Sequence, residues 1–205
     1  LRNCPESLAS RKSGLLGLGK VCYLFRMPEP YKMLPKGLYF VTLSVVGGID
    51  IFTRFEYCDL LIDNLNYCID HKRLQVYEYA ILSNQLNMIA GVEQGNLSKI
   101  LRDFKGNSAK HILRAIAEHR EDNRKEWLMR LFQFFADRYQ YNSEHHFWQF
   151  GNQPVDLDKL AKNGQRTPSP LDYLLNAKLV DGAGHYRYCS AYPLQRVKLS
   201  SLVTT

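Results

Sequence analysis

The tightest constraint in this chain is a pair of strand-like segments with almost nothing between them. Residues 74–82 (LQVYEYAIL) alternate apolar and polar side chains, and residues 85–90 (QLNMIA) read as a returning strand. Only Ser83 and Asn84 connect them, so the two segments must lie side by side and antiparallel. Around this hairpin the periods change. Residues 38–46 (LYFVTLSVV) are rich in β-branched and aromatic residues and predict a strand that Gly47-Gly48 ends. Residues 55–71 place Leu60, Leu61, Leu65 and Cys68 at helical spacing. Asn96 is a cap for a long helix to Glu118, with Leu97, Ile100, Leu101 and Phe104 on one face. Residues 127–139 predict a second apolar helix, with Trp127, Leu128, Leu131, Phe132 and Phe135 as its packing stripe. Residues 151–170 read as loop and residues 171–180 as a short helix. The order strand, helix, strand, strand, helix predicts an α+β fold: a ferredoxin-like antiparallel sheet with helices on one face and a helical C-terminal extension. The other face is then open to a ligand.

Length and composition narrow the class. The chain has 205 residues, 45% of them apolar and 23% charged, enough for one sizeable core and too ordered for a disordered chain. No apolar run reaches the roughly 18 residues that a membrane span needs, so no membrane partner is expected. The net charge of +7 is uneven: residues 1–36 and 159–205 each carry a surplus of +5, and the middle is mildly acidic. Basic ends of this kind attract phosphate backbones, and they also serve plain solubility. Cysteines 4, 22, 58, 68 and 189 form no CxxC pair, which excludes a zinc cluster and predicts reduced thiols. Residues 1–26 look foreign to the rest of the chain. Their apolar run imitates a signal peptide but is broken by Lys20, and Gly14–Lys20 imitates a phosphate loop but is followed by Val21, not a hydroxyl. They are read as a non-domain extension before a single domain over residues 27–205.

Several stretches together carry a family resemblance: Tyr39-Phe-Val-Thr-Leu-Ser-Val-Val-Gly47, Ile49-Asp-Ile-Phe-Thr-Arg54, Ile81-Leu-Ser-Asn84, Leu97-Ser-Lys-Ile-Leu-Arg-Asp-Phe-Lys105, Arg124-Lys-Glu-Trp127, Phe147-Trp-Gln149 and His185-Tyr-Arg-Tyr-Cys-Ser-Ala191. In this order the chain resembles the REP-associated tyrosine transposases, a branch of the single-tyrosine HUH transposases, over roughly residues 30–199. The resemblance implies strand transfer on single-stranded or hairpin DNA, by a cytoplasmic bacterial protein. It implies a divalent metal, magnesium or manganese, held by two histidines that flank one apolar residue on a central strand. A tyrosine on a C-terminal helix would attack the scissile phosphate, and an amide one turn beyond would complete the metal shell.

This chain differs from the family where that chemistry happens. The two histidine positions are Gln85 and Asn87, flanking Leu86, and a further family histidine is replaced by Gln153. Strand alternation still points Gln85 and Asn87 to one face, but neutral amide oxygens are weaker ligands than imidazole for manganese. Tyr173, in Leu171-Asp172-Tyr173, is the candidate nucleophile, although an ungapped match puts Ser169 in its place. The position four beyond Tyr173 is Ala177, which offers no ligand. His145 and His146 are adjacent and point apart, unlike a metal pair. Arg102, Lys105, Lys110 and Arg114 on the long helix are candidate phosphate contacts, or a solvated face, and Tyr39, Tyr77 and Tyr79 are candidate stacking rings. Three readings stand: a DNA-binding relative with impaired catalysis, an active metal-dependent tyrosine transposase, and a decayed copy. The replacements at Gln85 and Asn87 favour the first.

Overall fold

A computed structural model describes residues 37–140, 143–151 and 154–201. The expectations for residues 1–26 and for Gln153 lie outside the described residues. Strand β1 (Tyr39–Ser44) is followed by α1 (Phe55–Lys72), β2 (Leu74–Ile81), β3 (Gln85–Val92), α2 (Leu97–Glu118), α3 (Lys125–Arg138), β4 (Val155–Asp156), α4 (Leu157–Lys162) and α5 (Pro170–Asn176). The four strands form one antiparallel sheet in the order β2-β3-β1-β4. This is the α+β arrangement expected, with the hairpin β2–β3 turning at Ser83-Asn84. Asn96 caps α2 as expected, its side chain accepting from the Lys99 amide at 3.2 Å.

Alternation along the strands sorts the sheet into two faces. Val41, Leu43, Val76, Tyr79, Ile81, Leu86 and Met88 join one core with Leu61 and Leu65 of α1, Leu101 and Phe104 of α2, and Leu128 and Phe132 of α3. The opposite face carries Phe40, Thr42, Ser44, Glu78, Ala80, Gln85, Asn87 and Ile89. A bulge at Tyr77, between the pairs Val76↔Ala90 and Glu78↔Ile89, flips the parity of β2. It turns Tyr79 into the core, where Tyr39 also lies, both fully buried. This corrects the expectation that these two rings stack on bases.

Three further expectations change. Residues 151–170 are not wholly loop, because Val155 and Asp156 pair with β1 and the Asp156 side chain caps α4 by accepting from the Lys159 amide at 3.1 Å. Trp127 leaves the packing stripe of α3 and is 56% exposed. Leu128, Phe132 and Ala136 bury the i, i+4, i+8 line, and Trp127 lies about 100° around the helix from Leu128. The second sheet face is also not fully open: α5 lies across β2 and β3, and its Leu174 packs with Ala80 and Cys189. Thr42, Ser44, Gln85 and Ile89 remain half-exposed.

Two local features hold the frame. Gly47 sits at φ +64° with its Cα against the Phe135 ring, where a side chain has no room, so Gly47 both ends β1 and seats α3. Asp122, in the α2–α3 connection, is buried and gathers three partners. Tyr57 Oη donates to it at 3.1 Å, Arg54 Nε approaches at 3.0 Å and Arg124 Nε at 3.2 Å. The start of α1 is thereby tied to the start of α3. Among the described residues, Cys58, Cys68 and Cys189 are free, buried thiols.

Candidate functional site

Asn87 stands in the middle of the sheet, opposite Thr42 on β1 and Ala80 on β2. Gln85 stands two residues earlier on the same face, opposite Ser44. Their fates differ. Gln85 is half-exposed at the hairpin end, whereas Asn87 is fully buried under α5. Neither the Nδ2 nor the Oδ1 of Asn87 has a hydrogen-bond partner among the described residues. A buried amide left in this state costs about 1–3 kcal/mol.

The cover is α5, and local chemistry fixes its start. Ser169 is its N-cap and forms a capping box with Asp172, and Pro170 occupies the first turn. Ser169 Oγ also donates to Glu78 Oε2 at 2.8 Å, which fastens the helix to β2. Ser169 therefore serves as a cap and a clasp. Tyr173, one turn on, is 40% exposed and stacks on Phe40 with ring centroids 5.6 Å apart. Phe40 pairs with Ile89, which lies two residues, about 7 Å, along β3 from Asn87. Gln85, Asn87 and Tyr173 thus share one sheet face.

The basic residues of α2 do not join them. Arg102, Lys110 and Arg114 are exposed on a helix whose Leu101 and Phe104 pack against the other side of the sheet. Arg114 pairs with Glu118 at 2.8 Å. Lys105 turns its ammonium onto the Gln149 carbonyl at 2.8 Å, and burial pulls its pKa down to about 8. The expected phosphate track and the Gln85–Asn87 face therefore lie on opposite sides of the sheet. Phe40 and Glu78 belong to the face and were missed by the sequence reading. The pairing of β1 with β3 was the signal for Phe40, and the bulge at Tyr77 hid Glu78.

A divalent cation fits this donor set poorly. The amides of Gln85 and Asn87 are weaker donors than imidazole, Asn87 is fully buried, and the Glu78 carboxylate on this face has one oxygen, Oε2, accepting from Ser169. Ala177, at the C-cap of α5, has only a methyl group to offer. Among the described residues no three His, Cys, Asp or Glu side chains gather as a metal site.

His146 has a different role from its neighbour. It is buried, stacks on Phe150 at 4.3 Å and meets Tyr139 edge-on at 5.6 Å. Burial, helped by the Lys105 charge, lowers its pKa from 6.5 to about 4. Below pH 6.5 the unfolded chain takes up a proton that the folded chain refuses until about pH 4. Stability should therefore fall across that window. Urea midpoints measured against pH should show the slope in the wild type and a flatter profile in His146→Leu; equal slopes would contradict this.

No family model matches the chain, and neither does any curated protein sequence. Among solved structures the chain is similar to a REP-associated tyrosine transposase bound to a REP hairpin. The identity is 12%, covering 86% of this chain and 94% of that chain, with a TM-score of 0.49. No helix among the described residues is long and apolar enough to cross a membrane.

Proposed function

We propose that this chain is a transposase-like DNA-binding protein that holds single-stranded or hairpin DNA without cutting it. The observation that carries the reading is the unpartnered amide of Asn87, beside Gln85 on the sheet face that Tyr173 overlies. The sequence resemblance assigns a cation and a tyrosine to these positions. The face retains its phenol and its polar row, Thr42, Ser44 and Gln85, and carries amides where the resemblance expects imidazole ligands. Hydroxyls and amides of this kind hydrogen-bond to phosphate and sugar oxygens, and such contacts position a strand without chemistry. Lys159, Arg166, Arg196 and Lys198 are paired with carboxylates, so Lys162, Lys178 and Arg187 supply the electrostatic attraction. Without a cation to polarise the phosphate, a phenol at neutral pH is a weak nucleophile.

Fluorescence anisotropy of a labelled hairpin tests this. Affinity for the hairpin should fall about 20- to 40-fold between 50 and 200 mM salt if about three phosphates are neutralised. A chelator should leave it unchanged. Failure to bind at low salt, in a chain that melts without cooperativity, would favour a decayed copy. Loss of binding with the chelator would favour a working metal site.

A further inference from the structure

A second group of outward-facing side chains lies at the β2 edge of the sheet. After α5 the chain runs back along β2: the Ile81 amide donates to the Tyr188 carbonyl at 2.9 Å, and the Ser190 amide to the Tyr79 carbonyl at 2.9 Å. This fixes Arg187 and Tyr188 against the first turn of α1. Tyr188 is buried, with its hydroxyl donating to Asp59 Oδ1 at 3.2 Å. Phe55, beside it, leaves 63% of its surface exposed, a large apolar ring at the start of a charged helix. The two rings lie 6.0 Å apart. The Arg187 guanidinium spans both, 5.4 Å from the Phe55 centroid and 5.7 Å from that of Tyr188.

Charge decides what this platform suits. Arg196, nearby, is neutralised by Asp59 at 2.8 Å and Asp63 at 3.1 Å. Arg187 is exposed and has no carboxylate partner among the described residues. Adjoining it is a pocket of about 140 Å³ lined by Ile62, Arg187, Tyr188, Tyr192, Leu194 and Arg196. An exposed ring, an unneutralised guanidinium over it and a small apolar pocket beside it are complementary to a flat aromatic group carrying an anion. We propose that the exposed Phe55 ring and the Arg187 guanidinium, seated on the buried Tyr188, form a stacking site for one unpaired nucleobase, with Arg187 also taking the adjacent phosphate. The inference rests on the DNA-binding reading and adds to it a contact away from the Gln85–Asn87 face.

The test compares a short oligothymidylate with an abasic strand of equal length, which has the same phosphates and no bases. The wild type should bind the thymidylate about tenfold more tightly than the abasic strand. Phe55→Ala should bring the thymidylate down to the abasic level and leave abasic binding unchanged, and Phe55→Trp should retain the preference. Arg187→Gln should weaken both and reduce the salt slope by about 0.7. Because Phe55 is exposed, an unchanged melting temperature should accompany its loss. Equal wild-type binding of both strands, or a preference that survives Phe55→Ala, overturns the stacking site while the DNA-binding reading stands. Binding of neither strand, nor of the hairpin, overturns both.

Discussion

Asp122→Ala is expected to lower stability by about 3 kcal/mol, the lower end of the range for breaking a buried pair. The carboxylate is buried, and its removal strands Arg54, Arg124 and the Tyr57 hydroxyl together. The side chains of Arg54 and Arg124 are 33% and 34% exposed, so water recovers part of the loss. Burial alone would raise the Asp122 carboxyl. Hydrogen bonds from the Arg124 side chain and backbone, with the Arg124 charge and the Tyr57 hydroxyl, overcome that and bring it from 3.8 down to about 2. The stabilisation is therefore complete above about pH 5 and is lost as pH falls toward 2. Asp122→Asn keeps the shape without the charge and should lose the acid-dependent part. Urea unfolding at neutral pH measures the loss, and a change under about 1 kcal/mol would show that the arginines are solvated well without it.

Asn87→Val should act in the opposite direction, raising stability by about 1–3 kcal/mol. Valine is close to asparagine in volume, suits a strand and removes two buried atoms that have no partner. For a chain of this size that is about 2–4 °C in melting temperature per kcal/mol. A polar side chain kept in the centre of a sheet against stability is what a former or present binding position looks like. If Asn87→Val destabilises the protein, the amide has a structural role and the argument from its burial fails.

Much of this was legible before the structure. The hairpin follows from a two-residue connection between strand-like segments, and α2 from Asn96 and a clean apolar face, because both signals are local. The shared face of Gln85 and Asn87 follows from alternation alone. What could not be read is tertiary. The bulge at Tyr77 leaves no mark in composition, yet it sends Tyr79 inward and Glu78 outward. Strand β4 has two residues and exists only because Tyr39 and Phe40 are there to pair with it. The seat of α5 depends on Ser169 meeting Glu78, 91 residues away in the chain. With Leu174 packed on Ala80 and Cys189, that contact sets α5 over the face on which Asn87 is buried and Gln85 is not. The spacing of the four basic residues of α2 was readable, but not that Lys105 turns its ammonium onto the Gln149 carbonyl, 44 residues away.

The most direct measurement is a denaturing gel of the protein incubated with end-labelled hairpin DNA and Mn²⁺. The account predicts a complex on a native gel, and on the denaturing gel neither a nicked strand nor a protein–DNA adduct. A covalent adduct that disappears in Tyr173→Phe would contradict it, showing that Gln85 and Asn87 still support cleavage.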